Sequence, residues 1–147
     1  MISFTIESKL PSLNDYINTL KSPKGQHTGA RMKSDVDDIC IWCLKRCRSE
    51  LKAFCAEPVI IWLEWHESSK RRDLDNVYSA SKYILDAMQK SGIIANDNYK
   101  HIKGIYNSVC YGTKDYVEAR LYHLDEIGEF FKAFSASEIL RIRSEKK

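Results

Sequence analysis

Three aspartates sit where a hard cation and a phosphate could be held together. Asp73 and Asp75 form a D-L-D step directly after the cations Lys70, Arg71 and Arg72, and Asp97 follows in N-D-N beyond Gly92. Ions such as Mg²⁺ need only a few carboxylates, because waters and substrate phosphates complete their oxygen shell. Carboxylates beside a basic run therefore suit metal-assisted chemistry on a phosphate ester.

An amphipathic helix is what must position these groups. Leu74, Val77, Ser81, Ile84, Leu85 and Met88 recur at helical spacing, which predicts a helix from about Leu74 to Lys90, ended by Ser91-Gly92. Within a helix, residues two apart diverge by about 200°, so Asp73 and Asp75 converge only if Asp73 is the N-cap and Asp75 lies in the first turn. Lys82 stands two turns after Asp75, its side chain directed back towards the helix start. The bland alternative is that both acids merely complement a helix N-terminus and that Lys82 pairs with Asp86 four residues on.

The stretch R-R-D-L-D-N, then I-L-D-A-M, then G-I-I-A-N-D-N resembles the signature of RusA-type Holliday junction resolvases, found in bacteria and their prophages, and L-P-S-L-N-D-Y-I-N resembles that family's N-terminal segment. The resemblance covers about residues 1–124, with Arg71–Asp97 its most specific part. It implies a homodimeric Mg²⁺-dependent endonuclease of DNA recombination and repair that nicks four-way junctions symmetrically. It also implies that Asp73, Asp75 and Asp97 are the metal ligands. Some members carry a functional lysine four residues after the second aspartate, where this chain has Ser79; Lys82 is assigned that role here.

The rest of the 147-residue, 17.1 kDa chain reads as one domain with 44% apolar and 29% charged residues. A net charge of +3 is too small to argue for nucleic acid by itself; the clustering of charge says more. No apolar run approaches membrane-spanning length and no leader precedes the first strand pattern, so the expectation is a cytoplasmic protein without a membrane partner. Five cysteines suggest no disulfide framework, and Cys40, Cys43 and Cys47 on one helical face read as core.

Residues 2–7 alternate as a half-buried strand. From Tyr16 to Ser34 there is no acid, while Lys21, Lys24, His27, Arg31 and Lys33 accumulate among Pro23, Gly25 and Gly29; this predicts a flexible basic loop suited to a DNA backbone, or simply a solvated connector. Ser34 reads as the N-cap of a helix over about Asp35–Ala53. A strand too apolar for an exposed edge follows Pro58. Its Glu64 shares a face with Ile60 and Trp62, which predicts a position near the aspartates, as a further metal ligand or as an arginine partner. Ile102–Tyr111 and Tyr116–Leu124 predict a hairpin through G-T-K-D, and Asp125–Lys147 predicts two short helices, the second starting at Ser135 with Glu138 as a capping box. Phe130, Phe131 and Phe134 must be covered by the sheet or by a dimer contact.

The expected architecture is α+β, a small mixed, partly antiparallel sheet packed with helices, with residues 125–147 as a helical extension of domain 1–124. Arg71 and Arg72, with Lys21, Lys24, Arg31 and Lys33, are expected to position DNA phosphates, and Lys82 to act beside Asp73, Asp75, Asp97 and Mg²⁺. Two other readings compete: a non-catalytic DNA-binding module, and an Mg²⁺ nuclease acting on other branched or single-stranded DNA.

Overall fold

The computed structural model describes residues 1–144. Strand Ile2–Ile6 (β1) leads to helices Leu13–Leu20 (α1), Gly25–Lys45 (α2) and Arg48–Phe54 (α3), then to strand Val59–Glu67 (β2). Helices Leu74–Tyr78 (α4) and Ser81–Lys90 (α5), strands Ile102–Tyr111 (β3) and Tyr116–His123 (β4), a 3₁₀ turn at Leu124–Glu126 and helix Ile127–Ser144 (α6) complete the order. The fold is α+β, and no helix among the described residues is long and apolar enough to cross a membrane.

The sheet runs β1-β4-β2-β3, with β2 parallel to β3 and antiparallel to β4. The predicted hairpin is therefore corrected: both strands exist, but β2 lies between them. A strand with both faces apolar gains most from a central position, where Ile61, Leu63 and Trp65 enter one core and Ile60 and Trp62 another. The G-T-K-D segment instead crosses the end of β2, where Gly112 N–H donates to the Glu67 carbonyl at 2.9 Å and Ser68 N–H donates to Asp115 Oδ1 at 2.8 Å.

The larger core joins one sheet face to Val36, Cys40 and Leu44 of α2 and to Ile84, Ala87 and Met88 of α5. Cys43 and Cys47 pack against the same cluster, as the cysteine stripe predicts, and burial pushes the Cys40 thiol up to about 12. The opposite face is closed by α6. It is one helix, not two, because Glu138 pairs with Arg141 at 2.8 Å instead of capping a new start. Phe130 is fully buried against Trp62, Tyr106 and Tyr122, while Phe131 remains 46% exposed.

The basic stretch is the largest departure from expectation. It is not a loop: a capping box between Ser12 and Asp15 starts α1, and α2 begins at Gly25, nine residues before the predicted cap at Ser34. The glycines that suggest a loop are notches. A Cβ on Gly25 would meet the Leu20 carbonyl oxygen at 1.9 Å, and one on Gly29 would meet Leu20 Cδ2 at 2.8 Å, so these residues let α1 and α2 approach backbone to side chain. Gly25→Ala is expected to cost about 1–3 kcal/mol of stability through overpacking, read as a lower urea midpoint. Gly112→Ala, with nothing within 4 Å, is the control and should leave the midpoint in place.

Candidate metal and nucleic-acid site

The predicted helix from Leu74 breaks after one turn. Ser79 N–H still reaches the Asp75 carbonyl at 2.9 Å, but beyond it the bonds shorten to i−3, with Ala80 N–H to the Val77 carbonyl at 3.2 Å and Tyr83 N–H to the Ala80 carbonyl at 3.1 Å. Ser79 explains the break, since its hydroxyl donates to the Asn76 carbonyl at 2.7 Å and accepts the Leu13 N–H at 3.0 Å, which ties the start of α1 to the joint. Lys82 thus belongs to the first turn of α5 and not to the helix that carries Asp75.

Asp73 is the N-cap residue of α4, with extended backbone (φ −67°, ψ 152°), and Asp75 lies in the first turn, as expected. Asp73 makes no cap bond, and among the described residues neither carboxylate has a hydrogen bond or ion pair. Both are exposed. Asp73 therefore does not cap the helix by a side-chain bond, while Asp75 complements the helix N-terminus by its charge alone. Asp97 is held differently: Lys82 Nζ donates to Asp97 Oδ2 at 3.1 Å and lies 2.7 Å from Asp86 Oδ1. Lys82 thus does pair with Asp86, as the bland alternative holds, and reaches Asp97 as well. The bonds to Asp86 and then Asp97 hold its ammonium protonated, with a pKa above the usual lysine range.

Lys82 therefore ties Asp97 to the first turn of α5, and neither Asp73 nor Asp75 is among its partners. The carboxylates of Asp73, Asp75 and Asp97 do not all lie within 4.8 Å of one another, a condition that as a group of three only Glu64, His66 and Glu118 satisfy among the described residues. As a donor set the aspartates still fit Mg²⁺: all offer oxygen, and two have no internal partner to surrender.

The cations divide into two classes. Arg72 is turned inward and is corrected from a phosphate contact to an internal clamp. Its Nε donates to Glu67 Oε2 at 3.1 Å, its Nη2 pairs with Glu67 Oε1, and its Nη1 donates to the Leu10 carbonyl at 2.8 Å. That clamp fixes the backbone immediately before Asp73. Arg71 and Lys70 remain exposed, with Lys70 5.1 Å above the Tyr111 ring. Lys21, Lys24, Arg31 and Lys33 are all exposed and unpaired among the described residues. On helical rather than loop backbone they do not form one surface: Lys24 and Arg31 share a face of α2 with His27, whereas Lys33 lines a cavity beside Lys82.

Glu64 is corrected in position, while its alternative as an arginine partner holds. It does share a face with Trp62, but that is the α6 face, opposite the core under α4 and α5. Ser137 of α6 donates to Glu64 Oε2 at 2.9 Å, His66 Nε2 lies 3.2 Å from Oε1, and Arg120 lies 3.4 Å from Oε1 and 2.8 Å from Glu118. Glu64 and Glu118 are directly opposed across β2 and β4, a repulsive pair that Arg120 offsets. This cluster was not foreseen because it depends on β4 lying beside β2, whereas the hairpin reading paired β4 with β3.

No family model matches this chain, and no curated protein matches it.

Proposed function

We propose that this protein is an Mg²⁺-dependent DNA endonuclease that resolves four-way junctions by paired nicks from a homodimer. The observation that carries the reading is the Lys82–Asp97 bond, which joins the segment after α5 to the helix pair begun by Asp73 and Asp75. The resemblance of the same stretch to the RusA-type signature supports it.

Asp73, Asp75 and Asp97 would hold the ion, which would supply Lewis-acid activation of water and of the scissile phosphate. Asp73 and Asp75 give it ligands without breaking any bond of the fold. Lys82, kept cationic by its two carboxylate partners, offsets charge developing on the phosphate and keeps Asp97 oriented. Arg71, Lys70 and the exposed cations of α1 and α2 position the DNA backbone without reading bases.

The deciding experiment incubates the protein with a labelled four-way junction and a matched linear duplex, with and without Mg²⁺. Symmetric nicks in the junction alone, and only with the ion, are expected; equal cutting of single strands or flaps would replace the substrate assignment, and binding without cutting would leave a DNA-binding module. Lys82→Ala should reduce cleavage far more than junction affinity, whereas Ser79→Ala should change stability at the α4–α5 joint more than the rate. Wild-type cutting by the Lys82 variant would reduce that lysine to a partner of Asp86 and Asp97.

The division of the cations gives a separate expectation. Neutralising Lys24 and Arg31 together should flatten the dependence of log affinity on log salt by about 1–2 units, at roughly 0.9 for each phosphate no longer neutralised. Thermal stability should hold, because these charges have no internal partner. An unchanged slope over a salt series would assign that face of α2 to solvent.

A further inference from the structure

The α1–α2 pair and the α4–α5 joint frame an open cavity of about 200 Å³ that shares only Lys82 with the proposed metal site. Its walls carry two tyrosines, Tyr16 and Tyr83, with Leu13 beside them; Lys33 and Lys82 stand on its rim. We propose that this cavity receives a single unstacked nucleobase of the bound DNA strand, with an adjacent phosphate held at Lys33. The inference rests on the endonuclease reading for why DNA is present, and names a contact that reading does not contain.

Size favours one planar ring system, since pockets for drug-sized ligands run from roughly 300 to 1,000 Å³. Both tyrosines are half-buried, Tyr83 against the larger core and Tyr16 against Gly29, and among the described residues neither stacks on another ring or sits under a cation. Every base offers a π face, so stacking on such rings tolerates any sequence. Burial, and then the nearby Tyr16 and Asp15, push the Tyr83 hydroxyl up, so it stays neutral as a hydrogen-bond donor. Charge selects the rest of the ligand. Lys33 is exposed and unpaired among the described residues, whereas Lys82 on the same lining is shared between Asp86 and Asp97. The unpaired Lys33 is the cation available to a phosphate. The location also fits, because Lys82 touches both this cavity and Asp97, so a base seated here would place its own strand near Asp97.

The test uses no metal and no cleavage, so it is independent of the endonuclease reading. Binding of a fluorescently labelled trithymidylate is compared with that of a labelled trimer of abasic sites carrying the same phosphates. Wild type should bind the base-bearing trimer roughly tenfold more tightly, as expected of base–aromatic stacking. Tyr16→Leu and Tyr83→Leu should abolish that ratio, Tyr16→Phe and Tyr83→Phe should keep it, and Lys33→Gln should weaken both trimers alike. The proposal is overturned if wild type binds both trimers equally or binds neither at millimolar concentration, or if leucine variants with wild-type circular dichroism keep the ratio. Retention by the phenylalanine pair separates lost stacking from lost folding. Base discrimination in a protein that cuts no junction would leave the cavity assignment standing and remove only the endonuclease reading.

Discussion

Replacing Asp73, Asp75 or Asp97 singly with Asn is expected to lower junction cleavage by more than about a hundredfold, because even partners one step removed from a metal cost roughly 10–100-fold when lost. Junction binding should persist or tighten, since each change removes a negative charge from a surface that meets phosphates. Stability separates this outcome from a structural one. The Asp73 and Asp75 side chains bond to nothing among the described residues, so their variants should unfold within about 0.5 kcal/mol of wild type. Asp97→Asn keeps an oxygen for Lys82 and should cost little more. Cleavage rates at several Mg²⁺ concentrations, set beside urea curves, check all three. A variant that cuts normally removes its residue from the ligand set; one that loses stability and binding together makes that aspartate part of the scaffold.

Periodicity shows which residues are buried more readily than which elements are neighbours. The apolar stripes of α2 and α5, the central character of β2, and the N-cap position of Asp73 were legible because each follows from local spacing. The order of the sheet was not, because a short G-T-K-D link suits a hairpin locally, while the demand of β2 for cover on both edges is a property of the whole sheet. Gly25 and Gly29 misled for a related reason. Glycine signals a turn only when nothing packs on it, and here Leu20 does. The break at Ser79 escaped notice because the apolar stripe continues through it; only the Leu13 N–H reaching Ser79 Oγ reveals a joint. Of the candidate site, the helix-start positions of Asp73 and Asp75 and the Lys82–Asp86 pair were readable, whereas the sequence set Lys82 on the helix of Asp75 and the structure sets it on α5 against Asp97. The inward turn of Arg72 was not, since three adjacent cations look alike until Glu67 is found buried beside one of them.

That buried pair gives the second large expected effect. Glu67 has a side chain only 4% exposed, and Arg72 satisfies both of its oxygens while also donating to the Leu10 carbonyl. Arg72→Met should therefore cost about 3–5 kcal/mol, the usual penalty for leaving a charge buried without its partner. That is a large share of the ~5–15 kcal/mol that holds a domain of this size together. Lys9, 3.6 Å from Glu67 and 3.5 Å from Asp115, offsets part of the loss, so Lys9→Met combined with Arg72→Met should be worse than either alone. Removing both charges, Arg72→Met with Glu67→Leu, should recover most of the stability, because the desolvation cost leaves with the pair. Cleavage should not recover with it. The guanidinium also ties the backbone before Asp73 to Leu10, and methionine cannot replace that bond. Urea midpoints for the single and double variants, together with cleavage rates of the double variant under conditions where it is fully folded, decide the matter. A double variant that is stable and cuts at the wild-type rate would show that Arg72 holds the fold but does not position the aspartates.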